Sequence, residues 1–155
     1  MLALVAEHFG HQVRGPVDDF GLVGETGGRV DEPAELDDAL DPLQVAAGGA
    51  IGASARYLTG IAAVRVIGHG FPWGTLLVNV LGSFLMGALV VVLAHCHATR
   101  FAPFLMTGVL GGFTTFSAFS LDAVALFERG QVTTAALYVA GSVGVAIAAL
   151  FAGMM

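Results

Sequence analysis

Charge is scarce in this sequence, and lysine is absent. The 155 residues include six arginines, twelve acidic residues and one cysteine, Cys96. Without clustered basic residues the chain has no footprint for a phosphate backbone, so nucleic acid is excluded as a partner. A single cysteine cannot form an intrachain disulfide, so packing must hold the fold together.

Hydrophobic residues dominate the composition instead. They make up 56% of the chain against 12% charged residues, and the mean hydropathy of +0.83 lies outside the range of ordinary soluble domains. Ten of the twelve acidic residues lie within residues 1–43, which carry a net charge of −8, whereas residues 44–155 carry +2. We therefore divide the chain into an acidic N-terminal extension, 1–43, and an apolar body, 44–155.

The N-terminal extension is too polar to bury a core, and its Gly, Pro, Asp and Glu content is typical of a disordered terminal segment. At most, a short helix is expected near residues 33–40. The apolar run at residues 1–6 is too short for a signal peptide and lacks a basic segment, so none is expected. A start codon downstream, at Val30 or Val45, is an alternative that N-terminal sequencing of the native protein would test.

The body contains four apolar stretches, each long enough to cross a bilayer core of roughly 30 Å as a helix. Their bounds are about 45–68, 73–94, 101–127 and 132–153. Short polar breaks separate them, so neighbouring helices must be antiparallel. The sequence therefore predicts an all-α membrane protein with four transmembrane helices, in which numerous glycines allow close helix contact.

The arginines near the ends of the spans give no orientation signal. Arg65 and Arg129 lie in loops on one side of the membrane, and Arg29 and Arg100 lie on the other. A chain without such a bias can insert in both directions. Two copies in opposite orientations could then pair as an antiparallel homodimer.

The third stretch is interrupted by small and polar residues, GVLGGFTTFSAFS at positions 108–120. Glycine costs on the order of 1 kcal/mol relative to alanine inside a helix, so the helix is expected to break here. Irregular backbone at membrane depth survives only where it is buried or lines a watery cavity, and its freed carbonyls could bind a hard cation. A kink without a ligand is the alternative.

Aromatic and polar side chains recur on single helix faces within the spans. Phe116 and Phe119 share one face, and aromatic ring edges can solvate an anion without any charged residue. Polar residues follow the helical spacing in the second and fourth spans: Thr75, Asn79, Ser83; Thr134, Tyr138, Ser142. Helix-to-helix hydrogen bonding is the favoured explanation for serines and threonines alone, whereas Asn79 at mid-span favours a function.

Two charged residues lie inside the spans, Arg56 in the first and Asp122 in the third. A lone charge at the bilayer centre costs at least about 2.5 kcal/mol on insertion scales, so each needs a partner or water. Either could be structural. Asp122 is close enough to a span end to reach water.

Three ordered motifs carry a resemblance to a known family. They are GGAIGASARY at 48–57, GTLLVNVLGSF at 74–84 and GGFTTFSAFS at 111–120. The body from Gly48 to the C-terminus resembles the small bacterial fluoride channels of the Fluc, or CrcB, family.

The resemblance implies a multi-pass channel of the bacterial plasma membrane, not an enzyme, that exports fluoride passively and reduces its toxicity. It also implies an antiparallel dual-topology dimer, with an identical or a paralogous second subunit, around a structural sodium ion. By motif position, backbone carbonyls of Gly111 and Thr114 would bind the sodium, and Arg56 would be a structural charge. The fluoride path would contain these residues: Asn79, Phe116, Phe119, Tyr138, Ser142, Thr75 and Ser117.

Two departures from the family pattern and two rival functions accompany this interpretation. Ala118 and Ala146 stand where many members have threonine and serine, so the polar track loses two hydroxyls. A proton-coupled small-anion transporter is one rival, although the spans offer no ionisable relay beyond Asp122 and Arg56. A non-conducting membrane scaffold is the other, but it leaves the combination of phenylalanines with Asn79 unexplained.

Overall fold

The computed structural model describes residues 34–96 and 98–155, and every regular element in that part of the chain is helical. The elements are α1 (Ala34–Ile67), α2 (Trp73–His95), a 3₁₀ turn (Thr99–Phe101), α3 (Pro103–Leu110, followed by the turn Gly111–Phe113), α4 (Phe116–Glu128) and α5 (Val132–Gly153). The sequence predicts disorder for the N-terminal extension. Residues 1–33 of this extension lie outside the described part of the chain.

Helix α1 starts earlier than the first predicted span. It runs from Ala34 without interruption, so the short helix expected near residues 33–40 and the first span belong to one element. The sequence has Glu35, Asp37 and Asp38 at the start of this helix, and acidic residue types are common there because negative charge is favourable at the positive end of a helix dipole. The composition had assigned these acids to a separate extension.

Within residues 34–96 and 98–155, four helical segments are long and apolar enough to cross a membrane, which confirms the predicted number of spans. They are Asp41–Ile67, Trp73–His95, Pro103–Glu128 and Val132–Gly153. Large apolar side chains such as Leu58, Leu121 and Leu137 are exposed on them. Such surfaces are unfavourable in water and suit contact with lipid.

A cluster of buried side chains joins α4 and α5, and Leu76 of α2 packs against it: Phe119, Leu126, Ala135 and Tyr138. Tyr138 and Val78 are almost completely buried, and Phe119 packs with Tyr138 in the core. Helices α2 and α5 run parallel, since the ring of Phe71 at the start of α2 contacts Tyr138 and Gly87 farther along α2 contacts Leu150. The second and fourth spans are expected to run in the same direction, because short connections make each span antiparallel to the next.

Glycines bring backbones together at two crossings. On α1, a β-carbon added to Gly52 would overlap the carbonyl oxygen of Val109 in α3. Between α2 and α5, a β-carbon on Gly87 would overlap the Leu150 carbonyl, and one on Gly153 would overlap that of Phe84. These helices therefore contact each other backbone to backbone, as small residues permit in lipid.

The turn after α4 contains a glycine in a conformation that other residues rarely adopt. Gly130 has a φ of +76°, and the Gln131 N–H donates to the Leu126 carbonyl at 3.1 Å. This arrangement closes the end of a helix by satisfying its last carbonyls. It directs the chain into α5 within a few residues, at the break expected from the sequence.

The crossing of α1 and α3 predicts different effects of an added methyl group at two glycines of α1 that are three residues apart. Gly52→Ala is expected to lower the free energy of unfolding by about 1–3 kcal/mol, because the added methyl group meets backbone atoms that cannot turn away. Gly49→Ala is the matched control, since a β-carbon there has no atom within 4 Å. It is expected to be neutral or to stabilise the helix by up to about 1 kcal/mol.

Unfolding of both variants in detergent, titrated with a denaturing surfactant, measures the difference. Equal stability of the two variants would contradict the close approach of α1 and α3.

Candidate functional site

The backbone of the third span is irregular at its centre. Helical winding ends at Phe113 and resumes at Phe116, and the two threonines between them, Thr114 (φ −80°, ψ 160°) and Thr115 (φ −155°, ψ 119°), are extended. Before this point α3 is wound as a π-helix, in which the Gly111 N–H reaches back to the Met106 carbonyl. Such winding often occurs at functional sites, and the sequence did not predict it.

Asn79 holds the extended segment by two hydrogen bonds. Its Nδ2 donates to the Thr115 carbonyl at 3.0 Å, and the Thr115 N–H donates to its Oδ1 at 2.8 Å. In a continuous helix that N–H would bond the Gly111 carbonyl. The Asn79 side chain thus provides the acceptor that the Thr115 N–H would find in a helix, adds a donor to the Thr115 carbonyl, and leaves the Gly111 carbonyl without its helical donor.

Arg56 reaches the same segment from α1. Its Nη1 donates to the Thr114 carbonyl at 3.1 Å, and the side chain is half-buried. A carbonyl accepting a hydrogen bond from a cation gives the intramembrane charge a polar partner.

The hydroxyl of Thr115 caps the N-terminus of the next helix, α4. Its Oγ1 accepts a hydrogen bond from the Ala118 N–H at 3.2 Å and lies 3.2 Å from the Ser117 Oγ. This is the side-chain cap that a helix N-terminus requires. It fixes where α4 starts and so where Phe116 and Phe119 project.

A pocket of about 370 Å³ lies beside the break, between α2, α4 and α5. Its lining combines hydroxyl and amide groups with two aromatic rings: Asn79, Ser83, Thr114, Thr115, Ser142, Phe116 and Phe119. The described residues around it include no charged side chain. The pocket offers hydrogen-bond donors without a fixed charge.

One of those donors is unused. The Ser142 side chain is 5% exposed, and its Oγ has no hydrogen-bond partner among the described residues. A buried hydroxyl without a partner costs free energy comparable to a lost hydrogen bond. Such an atom inside a pocket is suited to a ligand or a water molecule that accepts its proton.

The two phenylalanines differ in exposure although their rings are neighbours. Their centroids are 5.5 Å apart with the planes tilted by 44°. Phe119 is buried against Tyr138, whereas Phe116 is 77% exposed in the single chain. The Phe116 ring therefore borders the open side of the pocket.

A second set of polar groups forms hydrogen bonds with Asp122. Thr75 Oγ1 donates to its Oδ2 at 2.6 Å, and the Tyr138 hydroxyl donates to the same oxygen at 3.4 Å. Asp122 and Thr75 also line a larger cavity of about 810 Å³, together with Arg56 and Arg65.

The predicted site residues thus fall into two groups. The pocket brings together Asn79, Phe116, Phe119 and Ser142, together with Ala146, one of the two positions that depart from the family pattern. Thr75 and Tyr138 meet at Asp122 instead, and Ser117 is exposed next to Thr115. Their assignment to a fluoride path stays a prediction.

Sequence reasoning did not select Thr115 and Asp122 as site residues. Thr115 is part of the GGFTTFSAFS motif, but no residue spaced at a fixed distance from it identifies it as a helix cap. Asp122 had a usable signal, because it follows Phe119 by three residues and so shares its helix face. A carboxylate inside a span is also a functional hypothesis by default.

The family of this chain follows from a match that covers most of it. Residues 43–154 match the family model described as CrcB-like protein, Camphor Resistance (CrcB). The chain belongs to the CrcB family. This confirms the resemblance carried by the three sequence motifs.

CrcB relatives with curated names cover the same part of the chain. The relative from Cereibacter sphaeroides is 69% identical over 112 residues, which is 72% of this chain and 90% of the relative. Those from Ruegeria sp. and Roseobacter denitrificans are 64% and 59% identical over 114 residues, with 73% and 72% of this chain and 90% of each relative covered. All three are named fluoride-specific ion channel FluC. These names describe channels and not enzymes, as expected for this CrcB chain.

The two hydrogen bonds of Asn79 predict that replacing this residue lowers the free energy of unfolding. Asn79→Leu keeps a similar volume but leaves the Thr115 N–H without an acceptor and removes the amide donor to the Thr115 carbonyl, so we expect a loss of about 2 kcal/mol in unfolding free energy. Faster hydrogen exchange at the Thr115 amide should accompany it.

Ser83→Ala, one turn away on the same helix, removes a hydroxyl from the pocket lining and is the matched control. It is expected to change stability by less than about 0.5 kcal/mol. Equal amide exchange at Thr115 in both variants would show that Asn79 does not hold the break.

Proposed function

We propose that this chain forms a fluoride-selective channel that exports cytoplasmic fluoride passively and so reduces fluoride toxicity. The observation that carries the proposal is the uncharged pocket at the break, lined by hydroxyls, an amide and two phenylalanine rings. The names of CrcB relatives that are up to 69% identical support the choice of ion. The inside-negative membrane potential would drive the anion outward.

The pocket chemistry suits an anion that is small and tightly hydrated. Such an ion needs several close donors to replace its water, and Ser142 has an unused hydroxyl proton. Asn79 has two amide protons, of which one is engaged with Thr115. Ring edges of Phe116 and Phe119 carry partial positive charge. Without a fixed cation in the lining the ion can also leave, as conduction requires.

The proposed path continues past the pocket through other hydroxyl groups. Thr75 lines the larger cavity, Tyr138 meets Thr75 at Asp122, and Ser117 lies beside Thr115 at the start of α4. Ala118 and Ala146 leave this track with fewer hydroxyls than many CrcB members have.

A structural sodium ion that is not transported is part of the proposal, held by the backbone carbonyls of Gly111 and Thr114. The Gly111 carbonyl lacks its helical donor because the Thr115 N–H bonds Asn79. The Thr114 carbonyl accepts one hydrogen bond from Arg56 and has a second lone pair. Carbonyl oxygens are suitable ligands for a hard cation, so these residues fit the ion. When bound, sodium would supply positive charge that offsets the cost of an anion at membrane depth.

The proposed assembly is an antiparallel dual-topology dimer in the bacterial plasma membrane, formed with a second copy of this chain or with a paralogous subunit. Phe116 borders the pocket yet is 77% exposed, and Gly111 is exposed as well. A second copy covering this face would complete the pocket lining and bring two sets of carbonyls together. The balanced arginines at the span ends permit both orientations. A reporter fused to the C-terminus should then be detected on both sides of the membrane.

Fluoride efflux from liposomes tests the function. Purified protein reconstituted under a fluoride gradient and read with a fluoride electrode should give fast, uncoupled efflux that chloride does not support. Phe116→Ala and Asn79→Ala should each slow efflux by about tenfold or more, equivalent to about 1.4 kcal/mol. Phe127→Ala is the matched control, because Phe127 is an exposed ring on the same helix outside the pocket.

The rival functions give different traces in the same assay. Slow efflux that requires a proton gradient would indicate the transporter, and no efflux would indicate the scaffold. Wild-type efflux rates in both Phe116→Ala and Asn79→Ala would show that these residues do not form the fluoride path, although the protein would still be a channel.

The proposed dimer predicts the mass of the purified protein and its dependence on sodium. Sedimentation of the purified protein in detergent should give the mass of two chains in sodium buffer. Because a central sodium would join both copies, the dimeric fraction should fall when N-methylglucamine replaces sodium. A single-chain mass in both buffers would contradict both the dimer and the sodium proposal.

A further inference from the structure

An apolar crevice of about 260 Å³ lies between α2 and α5. Apart from Tyr138 and Ser142, the residues that line it are apolar. Leu77 and Leu137 border the crevice and are exposed, so in a membrane they face an apolar environment on that side. Apolar spaces of this kind stay dry. Water can therefore reach the crevice only from its ends.

The crevice lies between the two spaces described above. Phe71 lines both the crevice and the cavity of about 810 Å³, and Ser142 lines both the crevice and the pocket of about 370 Å³. Among the residues that the structure describes, neither pair of spaces has another lining residue in common. Phe119 lines the pocket but not the crevice. The crevice is thus a second connection from the cavity to the pocket, and the side chain at its cavity end is Phe71.

The ring of Phe71 is held in place from two sides. Its centroid lies 4.6 Å from that of Trp73 and 5.4 Å from that of Tyr138, whose plane it meets at 88°. The Trp73 N–H donates to the Phe71 carbonyl at 2.8 Å, so the backbone at the start of α2 is fixed as well. The half-buried ring therefore has little freedom to turn away from the end of the crevice.

An apolar constriction excludes ions because water does not wet it. The exclusion depends on its width, so removal of the Phe71 ring would let water enter from the cavity. Fluoride holds its water tightly and needs the donors of the pocket, whereas chloride is larger and holds its water less tightly. A wet crevice with an apolar lining would therefore admit chloride more readily than fluoride.

We propose that Phe71 is a specificity-determining residue: its ring closes the cavity end of the crevice and so keeps water and chloride from reaching the pocket by this second connection. This inference rests on the proposed channel function. It assigns part of the selectivity to a closed route, in addition to the donors of the pocket.

Thiol labelling tests the closure without any ion flux. Val80→Cys places a thiol in the crevice, in a chain whose exposed Cys96 is replaced by serine. In liposomes, a charged methanethiosulfonate reagent should react with this thiol slowly, and Phe71→Ala should raise the rate by about tenfold or more. Phe71→Leu keeps a large apolar side chain and should leave the rate low. Phe101→Ala is the control, because it removes an exposed ring that lines none of the three spaces.

Anion efflux from liposomes tests the consequence for selectivity. Phe71→Ala should lower the ratio of fluoride to chloride efflux rates by about tenfold or more. Phe71→Leu and Phe101→Ala should keep the wild-type ratio. If Phe71 only stabilised the fold, Phe71→Ala would slow fluoride efflux without admitting chloride, and that result would overturn the inference.

A matched pair of variants replaces Phe71→Ala if that variant aggregates. Phe71→Val and Phe71→Thr have the same shape, but the threonine hydroxyl lets water wet the end of the crevice. Labelling at position 80 should then be faster with threonine than with valine, and equal rates would contradict the closure.

The two assays separate this inference from the proposed function. Absence of fluoride efflux from the wild type removes both. Wild-type fluoride efflux together with unchanged labelling and an unchanged chloride ratio in Phe71→Ala removes only the role of Phe71.

Discussion

Two hydrogen bonds between the Asn79 side chain and the Thr115 backbone permit an extended segment inside a membrane-spanning helix. In the hydrocarbon core no water is available for an unpaired N–H or carbonyl, so a break without such bonds would be costly. With Thr115 held in place, its hydroxyl caps α4 and sets the positions of Phe116 and Phe119. The pocket exists because α2 supplies an amide where the third span stops being a helix.

The intramembrane charges are kept out of the pocket by their own partners. Arg56 donates to the Thr114 carbonyl from α1, and Asp122 accepts from the hydroxyls of Thr75 and Tyr138. Within the described part of the chain, charge of either sign is thus stabilised by hydrogen bonds with neutral polar groups instead of by an ion pair. Neither residue lines the pocket at the break, and the described residues that do line it carry no charge.

Local signals made much of the architecture predictable from sequence. Apolar length defines a span, and glycine with a short polar break defines a turn, so the four spans and the turn at Gly130 could be predicted. Helical spacing likewise indicated that Asn79 and Ser142 belong to polar stripes. The rest depends on partners 36 and 47 residues apart, such as Asn79 with Thr115 and Thr75 with Asp122. Spacing along one helix carries no information about such pairs, and it equally missed the π-helical winding of α3.

The crossing of α2 and α5 also bears on how the protein meets membranes of different thickness. Helices respond to a mismatch with the bilayer by changing their tilt. Gly87 lies against the Leu150 backbone and Gly153 against that of Phe84, with no side chain between them to compress. We therefore expect the two helices to change their tilt together, as one packed pair, when the lipid composition around them changes.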